Sequence, residues 1–215
     1  SALSRLEIAI RLKRGLSLVL GDVGTGKTTI ARILMQTLNA QEGFDFHIIL
    51  DPNYKSEFQF LSSLVKMFGL KPNFKSTIDY KEEIERYLFK KGVEEQKTIV
   101  LVIDEGQKLN TNYLEILRTL LNYETNEYKL LQLVLMSQIE LLPRIRKIKN
   151  FFDRISLKYV INPLVEHETK EMIAFRLAQA GFHSGGGGLF SDDAIQLIHA
   201  HTQGYPRRIA MACHD

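Results

Sequence analysis

The sequence predicts an α/β fold in which a five-stranded parallel sheet lies between helices, followed by a small helical domain. Three observations point there. Residues 21–28 read Gly-Asp-Val-Gly-Thr-Gly-Lys-Thr, a G-x-x-x-x-G-K-[ST] phosphate loop with every required position filled. Short apolar runs alternate with stretches of helical spacing through the first three quarters of the chain. After Asn162-Pro163-Leu164 the strands stop and only helical patterns follow.

The elements follow in order. Strands are expected near 16–21, 46–50, 98–103, 130–136 and 156–161, and helices near 27–39, 57–68, 79–91, 112–122 and 139–149. Leu16-Ser17-Leu18-Val19-Leu20 is a short apolar run that leads straight into the phosphate loop. Ile99-Val100-Leu101-Val102-Ile103 and Leu131-Gln132-Leu133-Val134-Leu135-Met136 are almost continuously apolar, which suits strands covered on both faces. The trailing helices are expected near 166–180, 191–202 and 206–213. Ser191 stands as an N-cap with Asp192 and Asp193 in the first turn, and Gly181 and Gly204 stand at C-terminal cap positions. Ser184-Gly185-Gly186-Gly187-Gly188 is expected to be a flexible loop, natural or engineered. These readings divide the chain into an α/β nucleotide-binding domain, 1–163, and a helical lid, 164–215.

Bulk composition excludes several classes. With 45% hydrophobic and 25% charged residues over 215 positions, the chain has the make-up of a globular protein. The single cysteine, Cys213, rules out an intrachain disulfide and fits a reducing compartment. No apolar stretch approaches the roughly 18–20 residues that span a membrane, and no secretory leader is legible. A net charge of +3 permits nucleic-acid contact without requiring it.

The loop has a mechanism. Gly21, Gly24 and Gly26 let the backbone curl so that N–H groups of Gly21 to Thr29, with Asp22, Val23 and Thr25 between them, face phosphate oxygens. Lys27 reaches the β- and γ-phosphates, Thr28 offers its hydroxyl to Mg²⁺, and the following helix turns its positive end toward the anion. The loop by itself therefore predicts a nucleoside triphosphate and Mg²⁺ as ligands.

Thr98 to Glu105 is the partner such a loop needs: an apolar strand ending in two carboxylates. Asp104 holds Mg²⁺, directly or through water, because a hard cation takes oxygen ligands. Glu105 deprotonates the attacking water. Gln138, past the next apolar strand, can touch the γ-phosphate or the water, or can simply cap a helix. Gly204-Tyr205-Pro206-Arg207 starts the last helix. There Arg207 is placed to meet the nucleotide and couple it to lid closure, or it is a surface arginine; Arg208 is the less favoured candidate.

Phosphate loop, Asp-Glu strand, polar residue on the next strand and Gly-x-Pro-Arg in a helical lid together resemble the AAA+ ATPases. The runs Gly21 to Thr29, Val102 to Leu109, Leu114 to Arg118, Asn122 to Thr125, Lys129 to Leu135, Arg176 to Gly181 and Gly204 to Ile209 look like the ExeA/GspA general-secretion ATPase family. The similarity runs along almost the whole chain, and residues 102–141 are its most specific part. Gly106 replaces the alanine usual in that family, and Ser137 and Ile139 flank Gln138 unusually. Relatives usually carry an N-terminal segment that helps cover the adenine, and full-length secretion proteins a membrane span and a peptidoglycan-binding region; all three are read as absent here.

The resemblance implies a Mg²⁺-dependent ATPase acting as a ring-like homo-oligomer, in which an arginine of one subunit completes the site of the next. Arg154 matches the usual finger position, with Arg144 and Arg146 as alternatives and an ordinary salt bridge as the other reading. It further implies a secretion or membrane partner protein, no membrane contact by this segment itself, and a cytoplasmic location, alone or as the cytoplasmic domain of a membrane protein. Transposition-helper ATPases share the core and bind DNA. Arg144, Arg146, Lys147 and Lys149 are the candidate contact for that, or a solvated helix face. A nucleotide-binding scaffold without turnover is the third alternative.

Overall fold

The computed structural model describes residues 1–71, 76–182 and 189–214; the expected loop over Ser184 to Gly188 lies outside them. By internal contacts the chain forms two compact units. One comprises Ser1–Leu20 and Lys27–Val160, the other Gly21–Gly26 and the stretch from Ile161 onward.

The first unit is built on five strands: β1 (Leu16–Gly21), β2 (Phe44–Ile49), β3 (Thr98–Ile103), β4 (Leu131–Ser137) and β5 (Ile155–Ile161). Their order across the sheet is β2-β3-β4-β1-β5. The β2–β3, β3–β4 and β4–β1 pairs are parallel, with Ile49 opposite Ile103, Ile103 opposite Leu135 and Leu20 opposite Ser137. Every residue of β1, β3 and β4 is buried, which explains their almost continuously apolar text. At the edge, β5 alternates half-buried Ile155, Leu157 and Tyr159 with exposed Ser156, Lys158 and Val160. The exception inside β4 is Gln132, 1% exposed. Its Oε1 accepts from Gly15 N at 2.8 Å and its Nε2 donates to Lys129 O at 2.7 Å, so both ends of the buried amide are satisfied.

Helices α2 (Lys27–Asn39), α3 (Glu57–Met67), α4 (Thr77–Phe89), α5 (Thr111–Leu120) and α6 (Leu141–Lys147) match the expected positions, preceded by α1 (Ala2–Arg11), which the sequence reading does not assign. Ser56, Ser76 and Asn110 cap α3, α4 and α5 through their side-chain oxygens. The reciprocal Ser76–Asp79 capping box starts α4 two residues before the expected position. Leu61, Leu64, Ile84, Leu88, Leu114 and Leu117 join the strands in one buried core.

The second unit holds α7 (Glu166–Gln179), α8 (Asp192–Thr202) and α9 (Pro206–Ala212) around Ile173, Ile195 and Ile209. Ser191 caps α8 as expected. The chain leaves α8 through Gln203 at φ +53° and Gly204 at φ +72°. Gly204 O accepts from Leu164 N at 2.8 Å, and a Cβ on Gly204 would lie 1.9 Å from Leu164 O. Only glycine fits that crossing.

Candidate active site

The first unit brings Thr28, Asp104, Glu105 and Gln138 to the carboxyl ends of adjacent strands, where open α/β sheets bind ligands. Lys27 opens α2 and is 6% exposed. In the next position Thr28 Oγ1 donates to Asp104 Oδ2. Asp104 is 2% exposed, and three bonds fix it: the Thr28 contact, Glu105 N donating to Oδ1 at 2.8 Å, and its own N–H on Ile49 O at 2.8 Å. The two donors satisfy both oxygens of the buried carboxyl group.

Glu105 sits at φ +52°, ψ +35°, the left-handed region that costs a non-glycine residue about 1–2 kcal/mol. Its carboxylate Oε2 accepts from Gln107 Nε2 at 2.7 Å. The other end of that amide, Gln107 Oε1, accepts from Gln138 N at 3.2 Å and Ser137 Oγ at 3.3 Å. Arg144 Nη1 donates to Gln107 O at 2.6 Å and to Leu109 O at 3.1 Å. Its guanidinium thus clamps the turn of its own chain. Gly106 lets that turn press on β4, since a Cβ there would lie 3.2 Å from Met136 O and 3.3 Å from Ser137 Cβ.

In the second unit the loop residues pack with the start of α9. Gly24 and Gly26 have φ of +83° and +95°, and Thr25 Oγ1 donates to Asp22 O at 2.8 Å. Arg207 N approaches Gly24 O at 3.4 Å, and a Cβ on Gly24 would meet Arg207 Cβ at 3.0 Å. Tyr205 Oη donates to Asp22 Oδ2 at 2.7 Å. That bond, ahead of burial, holds the phenol above its ordinary pKa. The Arg207 side chain is exposed, and Arg208 stacks its guanidinium 4.8 Å from the Tyr205 ring.

Arg154 closes a short 3₁₀ turn, Phe152–Arg154, just before β5. It is half-buried, and its Nη1 is enclosed with no hydrogen-bond partner among the described residues. Arg146 lies 5.5 Å from the Phe152 ring, and Arg146, Lys147 and Lys149 are exposed.

Gln107 and Tyr205 are the site neighbours that sequence reasoning passed over. Each stands inside a quoted motif, two residues after Glu105 and two before Arg207, but its partner lies far away in sequence. No cluster of three His, Cys, Asp or Glu side chains shaped to hold a metal occurs among the described residues. The oxygen pair of Thr28 and Asp104 suits Mg²⁺ nonetheless, since that ion takes one or two protein oxygens and leaves its other positions to phosphate and water.

A family model for the AAA domain matches residues 10–145. General secretion pathway protein A of Aeromonas hydrophila is 32% identical over 214 residues, 99% of this chain, and the chain spans 38% of that protein's length. Among solved structures, the ORC2 protein of Aeropyrum pernix in its ADP form has TM-score 0.69 at 17% identity over 99% of this chain and 61% of that one. Cdc6p of Pyrobaculum aerophilum has TM-score 0.68 at 18% identity over 92% and 52%. The Aeropyrum pernix ORC1 protein in complex with DNA has TM-score 0.63 at 18% identity over 96% and 56%. At these identities the structures share the fold alone. The family match decides the assignment: this chain belongs to the AAA domain family of P-loop ATPases and is like general secretion pathway protein A along nearly its whole length.

Proposed function

We propose that the chain binds Mg²⁺-ATP and hydrolyses it as the engine of a ring-like homo-oligomer that assembles or remodels a secretion or cell-envelope complex. The observation that carries this is the Thr28–Asp104 bond beside Glu105: the proposed metal-binding oxygens and the base candidate stand together where the first turn of α2 meets the end of β3. Residues 1–163 act as the nucleotide domain and 164–215 as a lid, working in the cytoplasm.

In this mechanism the loop N–H groups and Lys27 hold the β- and γ-phosphates. Thr28 Oγ1 and Asp104 would hold Mg²⁺, which would supply charge neutralisation at the phosphate oxygens. Glu105 takes the proton from the attacking water, and Gln138 orients that water or touches the γ-phosphate. Arg207, whose backbone lies on Gly24, ties the state of the loop to the helical unit. Arg154 reaches the neighbouring subunit's site, where such a finger is worth about 10³–10⁵ in rate. Of its two alternatives, Arg144 is already engaged by its own Gln107 and Leu109 carbonyls.

Phosphate release measured across protein concentration tests this function. The rate per subunit is expected to rise with concentration, and Lys27→Ala to abolish nucleotide binding. No release at any concentration would instead identify a nucleotide-dependent scaffold.

A DNA-bound ATPase is the second function, favoured by the exposed Arg146, Lys147 and Lys149 and by the fold shared with a DNA-bound structure. It requires duplex binding that weakens with salt and on neutralising those residues. No binding at low salt with ATP present excludes it.

A further inference from the structure

We infer that Gln107 is the positioning residue of the ATPase reaction, holding the Glu105 carboxylate and referring it to the tip of β4. The inference rests on the assignment of Glu105 as the base.

Glutamate side chains are long and free to rotate, whereas a general base must stand within hydrogen-bond reach of its water. Gln107 restrains this one. Its neutral amide has two different ends, a donor group and an acceptor oxygen. The donor end binds Glu105 Oε2 at 2.7 Å. The acceptor end is held by Gln138 N and Ser137 Oγ at 3.2 and 3.3 Å. One side chain therefore bridges the base and the backbone of the residue proposed to meet the γ-phosphate. The bridge is itself anchored. Arg144 fixes the Gln107 and Leu109 carbonyls, Ser137 is fully buried, and Gly106 admits close packing on Met136 and Ser137. A shift of Gln138 is transmitted to the carboxylate through one amide, without any change of charge.

A glutamine that merely braces the turn would have the same contacts, so the test must ask whether Gln107 acts through Glu105. Single-turnover phosphate release and ATP affinity are measured for the wild type, Gln107→Ala, Gln107→Met, Glu105→Gln and Glu105→Gln/Gln107→Ala. Gln107→Met keeps the length of the side chain and removes both hydrogen bonds, which covers the case in which the alanine variant folds poorly. Both single changes at Gln107 are expected to slow release about tenfold and to leave ATP affinity within about twofold. In the Glu105→Gln background, removal of Gln107 is expected to cost nothing further, because residues acting as a unit are non-additive. Wild-type release by Gln107→Met, or the same tenfold loss in both backgrounds, overturns the inference while Glu105 remains the base. Wild-type release by Glu105→Gln overturns the assignment of the base, and the Gln107 inference with it.

Discussion

Thr28 Oγ1 donates to Asp104 Oδ2, joining the first turn of α2 to the end of β3 across 76 residues of sequence. The hydroxyl thereby orients a nearly buried carboxylate, and the two oxygens are the proposed ligands of a hard divalent cation. Thr28→Val keeps the shape and removes the hydroxyl. The magnesium concentration giving half-maximal ATP turnover is expected to rise about tenfold, as when one ligand of a small site is lost. A magnesium titration of phosphate release, with melting temperature as the folding control, measures it. An unchanged magnesium requirement would remove Thr28 from the metal site.

Tyr205 and Asp22 make the corresponding contact in the second unit. Tyr205→Phe removes the donor and keeps the ring beneath Arg208. Because the bond is solvent-exposed, the expected effect is modest: ATP affinity weakens roughly threefold and turnover at saturation stays near wild type. Fluorescent-nucleotide titration reads the change. An affinity equal to wild type means that the phenol does not hold the loop.

Gly204 is a point of strict backbone demand. At φ +72°, with a Cβ position 1.9 Å from Leu164 O, alanine forces apart the segments that lead into α7 and α9. Gly204→Ala is expected to destabilise the helical unit by about 2–4 kcal/mol. Amide exchange in α8 and α9 should accelerate while β1, β3 and β4 stay protected. Uniform protection of all five elements would show that the crossing relaxes freely.

Much of this molecule is legible in its text, for reasons visible in particular residues. β1, β3 and β4 are read to within one residue because burial on both faces leaves them mostly apolar; of their buried polar residues Ser17, Thr98, Gln132 and Ser137, Gln132 carries the largest polar group and is satisfied by Gly15 and Lys129. The half-exposed edge strand β2 is placed two residues late, since Phe44 and Asp45 carry no such signal. α1 escapes because its buried face is short, Ala2, Leu6, Ala9 and Ile10, while Ile8 and Leu12 are exposed. The phosphate loop, Asp104 and Glu105 are legible because they follow strands at fixed spacing. Gln107 is not, because its meaning lies in bonds to Ser137 and Gln138, 30 and 31 residues away.

The edge of the sheet also carries a pH dependence. His47 Nε2 lies 3.1 Å from Asp45 Oδ1, the Tyr87 phenol donates to Asp45 Oδ2 at 2.6 Å, and Phe68 packs edge-on at 4.8 Å. Burial lowers the His47 pKa, outweighing the opposite pull of Asp45. The folded protein thus resists a proton that the unfolded chain accepts below about pH 6.5. Stability is full above that value and declines as pH falls toward the lowered pKa. Urea midpoints at pH 7.5 and 5.5 check this: the decline is expected in the wild type and to shrink in His47→Gln. Equal declines in both proteins would place the dependence elsewhere.

The central claim, that Glu105 converts bound ATP to ADP and phosphate, is tested most directly by ATP retention and phosphate release in Glu105→Gln. The variant is expected to bind Mg²⁺-ATP with wild-type affinity and to release phosphate about 10²–10⁴ times more slowly. Release at the wild-type rate would contradict the claim.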